Sequence, residues 1–190
     1  LDTVQPIYDI SFAASPHYEV FDVGTTTSGV HVIGAVTPER RAGAEACFPA
    51  ALTTIDWMVE NVGPWEWGEY LTLAEVPDFG GAMEHTTIMW FDSDTIVSGP
   101  EGEQIVVHET VHHWWGNSVR FADWPHFWIA EGFDEWHTNF RVMGELLTEE
   151  QFEDLRVTYR EYAAELSYPY MPSWPDPGPL RFPDEEDVMM

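Results

Sequence analysis

The chain has 190 residues, the length of one ordinary domain. It contains 44% hydrophobic residues, with 10 Trp, 11 Phe and 7 Tyr among them, which excludes an intrinsically disordered protein. Against 34 Asp and Glu there are only 7 basic residues, all Arg, so the formal net charge is −27. Such a surface repels phosphate backbones and anionic lipids, which argues against nucleic acid or a membrane as a partner. The charge fits either adaptation to high salt, which screens the repulsion, or simply an acidic surface.

The first third of the chain is predicted to change from strands to a helix. Period-two alternation predicts strands over 18–23 and 30–33, with a Gly- and Thr-rich turn between them. Apolar residues then recur at intervals of three and four over 44–62, which predicts one amphipathic helix. Cys47 lies in this helix, and we expect it to be a buried small hydrophobic residue rather than a reactive thiol. A single cysteine also excludes an internal disulfide.

The rest of the chain is predicted to add two strands and three helices. The strands cover 69–76 and 83–91. A Ser-x-Pro start and a Gly stop predict a helix over 98–116. A second helix is predicted to begin near Pro125 and to run past Trp136, and a third, acidic one is predicted over 148–166. The sequence that follows is Pro-rich and irregular.

The motif that carries chemistry is HETVH at residues 108–112, which fits the pattern H-E-x-x-H. On a helix, His108 and His112 lie on one face, so both imidazoles can reach one Zn²⁺ ion. Glu109 lies beside the first histidine, where it can accept a proton from water instead of binding the metal. The alternative is a surface helix that carries two unrelated histidines.

A catalytic zinc normally has three protein ligands, and Glu131 is the candidate for the third. It lies in the apolar and aromatic segment WIAEGF at 128–133, where burying an unpaired carboxylate would be costly. The alternative is an ordinary, half-exposed glutamate on a helix. Glu135, one turn later, is either a residue that orients a zinc-bound histidine or an exposed carboxylate.

Eighteen residues separate His112 from Glu131, and this spacing resembles the zinc signature of the aminopeptidase N-like family of gluzincin metallopeptidases. Three further segments resemble motifs of that family, in the family's order. Residues 81–85 (GAMEH) resemble its GAMEN exopeptidase motif, 113–117 (HWWGN) its HxWWG(N/D) stretch, and 128–133 its WLNEGF segment.

The resemblance implies a zinc-dependent aminopeptidase that hydrolyses the N-terminal peptide bond of peptides. The implied site residues are His108, His112 and Glu131 for one Zn²⁺ (Zn2+) per chain, Glu109 as general base, and Gly81, Ala82 and Glu84 for the substrate. A carboxylate such as Glu84 can pair with the free α-ammonium group, and this pairing distinguishes a chain terminus from an internal amide. The expected partner is therefore a peptide with a free N-terminus.

The resemblance also implies the fold and the domain organisation. The expected fold class is α+β, a thermolysin-like zinc metallopeptidase catalytic domain with a small mixed sheet beside the zinc-binding helices. Residues 1–20 would be the remnant of an N-terminal β-domain, and 21–190 the catalytic domain, incomplete (truncated) at its C-terminal end. A missing neighbouring domain or a second chain is a further expected partner.

Two departures from the family pattern keep an alternative open. His85 replaces the usual Asn, and we assign it no role. The family's transition-state Tyr segment does not occur in this sequence, although tyrosines follow the third ligand at Tyr159, Tyr162, Tyr168 and Tyr170. The alternative is therefore a zinc-binding but weakly active or non-catalytic relative or fragment. Glu84 argues against an endopeptidase.

Overall fold

The computed structural model describes residues 10–170, except for the side chains of Trp124 and of 162–170. The strands are β1 (Glu19–Thr25), β2 (His31–Val36), β3 (Tyr70–Glu75), β4 (Ala82–Met83) and β5 (Ile88–Phe91). The α-helices are α1 (Arg41–Cys47), α2 (Ala50–Asn61), α3 (Pro100–Val111), α4 (Trp128–His137), α5 (Met143–Leu146) and α6 (Glu149–Tyr170). A 3₁₀ turn at Trp124–His126 precedes α4, and a π-helical segment at Thr138–Val142 follows it. Within these described residues, no helix combines the length and apolar character that a bilayer span requires.

The five strands form one mixed sheet in the order β1-β2-β3-β5-β4. β2 pairs in parallel with β3, and β3 with β5, whereas β1 and β4 pair antiparallel to their neighbours at the two edges. The prediction of an α+β fold with a small mixed sheet is confirmed. The sheet ends at β4, which carries part of the predicted substrate-binding segment.

The core lies between one face of the sheet and the helices α1, α2 and α3. Period-two alternation points Leu71 and Leu73 of β3 to the same face, and Met89 and Phe91 of the neighbouring strand are fully buried beside them. Val107 and Val111 on α3 are also fully buried in this core. Burying each large apolar side chain contributes about 1.5–3 kcal/mol, so this face fixes the orientation of α3 relative to the sheet.

A glycine sets how closely α3 approaches the rest of the core. A Cβ atom at Gly102 would lie only 1.9 Å from the carbonyl oxygen of Val97 and 3.2 Å from Cβ of Cys47. The first turn of α3 therefore lies directly against the preceding loop and α1. Cys47 is fully buried, as the sequence predicted.

The prediction of a single helix over 44–62 is wrong, because the structure has two helices there. α1 ends at Cys47 and α2 begins at Ala50. Pro49 has no N–H to donate, and its ring clashes with the preceding turn, so the helix breaks at this residue. The apolar periodicity continues across the break because both helices pack on the same core.

The single strand predicted over 83–91 is also wrong. β4 and β5 are separate antiparallel strands joined by a tight turn, in which the Ile88 N–H donates to the carbonyl of His85 at 3.1 Å and Thr87 has a φ of +67°. The helix predicted over 98–116 begins near its predicted start but ends at Val111. Bonds between residues three apart tighten the chain there, including Trp114 N–H to Val111 carbonyl at 2.9 Å.

The remaining elements are close to their predicted positions. The predicted strands over 18–23, 30–33 and 69–76 and the helices over 125–136 and 148–166 are all present, with shifted ends. α6 begins with a capping box, since Thr148 Oγ1 accepts from the Gln151 N–H at 3.3 Å while Gln151 Oε1 accepts from the Thr148 N–H at 3.0 Å. The predicted domain boundary after residue 20 stays a prediction. Residues 1–9 of the predicted β-domain remnant and most of the Pro-rich tail lie outside the described residues.

Candidate metal and peptide site

Helix α3 brings the two histidines of the HETVH motif together at its C-terminal end. The Nε2 atoms of His108 and His112 are 3.1 Å apart. The side chain of His112 is 2% exposed and that of His108 is 21% exposed, so the pair faces a sheltered pocket rather than open solvent. The two residues are four apart, and residues at this spacing share one face of a helix.

Glu131 on α4 faces the same two ring nitrogens. Its carboxylate oxygens lie 3.8 Å from Nε2 of His108 and 3.7 Å from Nε2 of His112. Tetrahedral zinc bonds of about 2.0–2.1 Å place ligand atoms roughly 3.4 Å apart. Two imidazole nitrogens and one carboxylate with separations of 3.1–3.8 Å form a donor set that fits such an ion.

The other ring nitrogen of each histidine is held by an acceptor. Nδ1 of His108 donates to Oδ1 of Asp134 at 2.8 Å, and Nδ1 of His112 donates to the carbonyl of Trp115 at 2.8 Å. Because a carboxylate or carbonyl oxygen only accepts, both rings carry a proton on Nδ1. A neutral ring in this tautomer directs its Nε2 lone pair outward, as a metal ligand requires.

Asp134 is the site residue that the sequence analysis missed. It is fully buried, it also accepts a hydrogen bond from Thr138 Oγ1 at 3.0 Å, and its Oδ2 lies 3.5 Å from Nδ1 of His112. Glu135, the residue considered for this role, lies 3.8 Å from His108 Nδ1 and accepts a hydrogen bond from the Asn139 amide. Its side chain is half exposed, so the orienting contact belongs to its neighbour.

The charge of Asp134 also acts on the protonation of His108. Burial alone would lower the pKa of His108, but the hydrogen bond and charge of Asp134, with Glu109 and Glu135, raise it to about 10. A metal bound at Nε2 therefore displaces a proton. Next to the pair, burial lowers the pKa of His113 to about 3, and its ring stacks on Trp65 with centroids 4.8 Å apart.

Glu109 is buried beside the two histidines, with 5% of its surface exposed. Burial raises its pKa to about 8; the nearby histidines oppose this effect, and the charges of Glu84 and Asp134 add to it. One carboxylate oxygen of Glu109, one of Glu84 and a ring nitrogen of His112 all lie within 4.8 Å of one another. The structure therefore brings the predicted base and the predicted amine-binding residue to the same histidine.

The predicted substrate-binding residues lie at the edge of the sheet. Ala82 is in β4, Gly81 precedes it, and Glu84 follows the strand and is partly exposed. Among the strands of the described residues, β4 is the outermost one at this edge of the sheet, and it pairs only with β5. An extended peptide can add to such an edge by backbone hydrogen bonds.

His85 and Tyr159, two residues to which the sequence assigned no role, each contact a residue outside the donor set. His85 packs edge-on against Trp90, with ring centroids 4.7 Å apart. Tyr159 accepts a hydrogen bond from the Gln104 amide, one turn before His108 on α3. The side chains of the three later tyrosines lie outside the described part of the chain.

An aromatic cavity lies on another side of α4. Its volume is about 430 Å³, and it is lined by Trp115, Trp128, Gly132, Phe133, Trp136 and His137. Trp115 contributes its ring to this cavity and its carbonyl to His112, whereas Trp114 is buried and donates to the Gly63 carbonyl at 3.0 Å.

Comparison with known proteins agrees with the geometry. Residues 50–171 match the peptidase family M1 domain. The chain is 36% identical to the leukotriene A-4 hydrolase homolog of Botryotinia fuckeliana over 118 residues, which are 59% of this chain and 18% of that protein. It is 35% identical to leucine aminopeptidase 2 of Sclerotinia sclerotiorum over 118 residues, which are 59% of this chain and 19% of that protein. It is 42% identical to leucine aminopeptidase 2 of Neurospora crassa over 74 residues, which are 38% of this chain and 11% of that protein.

The chain therefore spans less than a fifth of the length of these curated relatives. The family match itself covers more than half of the chain, and it includes the HETVH motif and Glu131. The resemblance to the aminopeptidase N-like family is confirmed, and this chain belongs to peptidase family M1.

Proposed function

We propose that this chain is the catalytic portion of a zinc-dependent aminopeptidase that hydrolyses the N-terminal peptide bond of peptides. The observation that carries the proposal is the convergence of His108, His112 and Glu131, with separations of 3.1–3.8 Å, beside Glu109 and Glu84. The fold class that goes with this proposal is the thermolysin-like catalytic domain.

His108, His112 and Glu131 would hold one Zn²⁺ per chain. When bound, such an ion lowers the pKa of a water molecule to about 7 and polarises the scissile carbonyl. With three protein donors the set leaves a position for water or substrate, which distinguishes a catalytic from a closed structural site. Asp134 and the Trp115 carbonyl keep the two rings in the required tautomer.

Glu109 would act as the general base. It accepts a proton from the attacking water and delivers it to the nitrogen of the leaving amine, which departs as the peptide bond breaks. Its burial beside the histidines favours this exchange, because a carboxylate with a raised pKa both takes and returns a proton near neutral pH. A purely structural zinc site would have no use for such a residue.

Glu84 would restrict the enzyme to free N-termini. Its carboxylate pairs with the α-ammonium group of the substrate, while the backbone at Gly81 and Ala82 contacts the first residues of the peptide. The pairing gives exopeptidase specificity, since a blocked amine or an internal amide offers no positive charge. The proposed partner is thus a peptide with a free N-terminus. The strongly negative charge argues against nucleic acid or a membrane as a partner. We also propose a neighbouring domain or a second chain as a further partner.

The test combines metal analysis with two substrates that differ only at the amine. The wild-type chain should contain one zinc per molecule and cleave a free aminoacyl anilide, and acetylation of the amine should abolish cleavage. Glu109→Gln should keep the zinc, and its kcat should be about 10²–10⁴-fold lower, which is the usual contribution of general acid–base catalysis. Glu135→Gln is the matched control, because its side chain is half exposed and 3.8 Å from His108.

Each result leads to a definite reading. Absence of zinc after gentle purification, or unchanged zinc in His112→Ala, would contradict the metal site. Equal cleavage of the free and acetylated substrates would contradict the contact with Glu84. Stoichiometric zinc with no turnover of either substrate would favour the alternative, a zinc-binding but non-catalytic member of the family.

A further inference from the structure

The edge strand that carries the proposed substrate contacts is too short to hold its own position. β4 has two residues, and within the described part of the chain it is joined to the sheet only through the pairs Ala82↔Phe91 and Met83↔Trp90. The turn before it contains Gly80 with a φ of +85° and Gly81 with a φ of +151°, conformations that receive no support from regular secondary structure. Other contacts must therefore fix the backbone at this edge.

Asp92, the residue directly after β5, supplies those contacts. Its backbone N–H donates to the Gly81 carbonyl at 2.7 Å, and its Oδ2 accepts from the Gly80 N–H at 2.8 Å. Its Oδ1 accepts from the Asp94 N–H at 2.9 Å, which joins the glycine turn to the turn after β5. The residue is 8% exposed, and the hydrogen bonds from Asp94 and Gly80 hold its pKa below the usual range.

The other end of the same segment is held by Asn117, in the segment that follows α3. The side-chain amide of Asn117 donates to the Glu84 carbonyl at 2.9 Å, and Asn117 is 3% exposed. Asn117 lies five residues after His112, whose carbonyl accepts its backbone N–H at 3.0 Å. Residues 80–84 are thus clamped between Asp92 at one end and Asn117, in the segment after α3, at the other.

We propose that Asp92 is a positioning residue for recognition of the substrate amine, because its carboxylate fixes the glycine turn that sets the place of Glu84. The inference rests on the proposed function, since it concerns the contact between Glu84 and the free amine. Without the carboxylate, the N–H groups of Gly80 and Asp94 lose their acceptor, and this end of the clamp keeps only the backbone bond from Asp92 to Gly81. A displacement of a binding group by about 1 Å can lower activity by up to roughly 10²-fold. We therefore expect the preference for a free amine to fall about tenfold.

The experiment measures binding of two probes to the full, zinc-loaded chain by titration calorimetry. The probes are leucine hydroxamate, which has a free α-amine, and its N-acetyl derivative. The wild-type chain should prefer the free-amine probe, and Asp92→Ala should reduce this preference about tenfold without changing the zinc content. Asp94→Ala is the matched control. Its side chain is 90% exposed and pairs with Arg40, and the substitution leaves the backbone N–H that Asp92 accepts.

A second variant and a second readout separate positioning from general destabilisation. Asp92→Asn keeps one of the two accepted hydrogen bonds, so it should fold even if the alanine variant does not, and it should lose about threefold of the preference. Amide hydrogen exchange at Gly80 should accelerate in both variants and stay unchanged in Asp94→Ala. These results together would support the proposal.

Two outcomes would overturn it, and they differ in what else they overturn. If the wild-type chain has no preference for the free amine, the proposed contact of Glu84 fails and the inference fails with it. If the wild-type chain has the preference and every Asp92 variant that folds retains it in full, only the inference fails. Unchanged exchange at Gly80 in those variants would likewise contradict the clamp.

Discussion

Replacing Asp134 by alanine should weaken zinc binding although Asp134 is not a proposed ligand. The fully buried carboxylate accepts the Nδ1 proton of His108 at 2.8 Å. A hydrogen bond to a charged group contributes about 1.5–3 kcal/mol, which corresponds to roughly 10–100-fold in a binding constant. Loss of an outer partner of a metal-bound histidine usually costs about the same 10–100-fold. Both partners are largely buried, so solvent screens this interaction only weakly.

The assay is competition for zinc between the protein and a chelator of known affinity, at one fixed pH. Asp134→Asn should give an intermediate loss, because the amide oxygen still accepts the Nδ1 proton but carries no charge. Thr138→Val removes the second hydrogen bond of Asp134 and leaves its contact with His108, so it should cost little zinc affinity. Circular dichroism on each variant shows whether the fold is retained.

Glu135→Ala decides between the two neighbouring carboxylates. Its side chain lies 3.8 Å from His108 Nδ1 and is half exposed, and exposed pairs at such distances contribute about 0–1 kcal/mol. We therefore expect a change of less than about fivefold. Wild-type zinc affinity in Asp134→Ala, combined with a large loss in Glu135→Ala, would refute the reasoning from the structure.

Three further predictions concern the rest of the molecule. Cys47 should not react with a thiol reagent at pH 8 until the protein unfolds, because burial raises its pKa to about 12. Burial alone would raise the pKa of Glu75, but hydrogen bonds from Ser93 and Thr37 outweigh it and lower the pKa. The stability that Glu75 contributes is therefore present above its ordinary pKa and is lost as the pH falls through the lowered pKa. Between about pH 5 and pH 3, the free energy of unfolding should fall more steeply in the wild type than in Glu75→Gln. The unfolding free energy should also rise with KCl, since salt screens the repulsion of a −27 chain; no salt effect would indicate a merely acidic surface.

The sequence alone predicts the donor set of the candidate site, because local geometry decides most of it. Four-residue spacing on a helix places His108 and His112 on one face whatever the rest of the chain does. The proposed third donor, Glu131, is predicted from the spacing and the family motif. Asp134 and Glu135 are both one turn from Glu131, and only the packing of α4 against α3 decides which of them faces His108.

The errors in the predicted elements have a related origin. Apolar periodicity reports which residues face the core, and it continues across Pro49 because α1 and α2 pack on the same side. The local signal of the break is Pro49, which has no N–H to donate to the preceding turn. At residues 84–87 the chain turns with a positive φ at Thr87, a β-branched residue for which propensity gives no indication of a turn.

The positions of the elements around the site also depend on residues that take no part in the proposed chemistry. Gly102 lets α3 lie against the preceding loop, and Asp92 holds the backbone that leads to Glu84. Because protein interiors are packed nearly as densely as crystals, displacing one such anchor moves a whole element together with every side chain it carries. The motif thus supplies the donor atoms, and helix geometry brings His108 close to His112. The placement of Glu131 beside them depends instead on how α4 packs against α3. A pattern of residues can therefore identify His108, His112 and Glu131, but the residues that hold them in place can be found only from the packed structure.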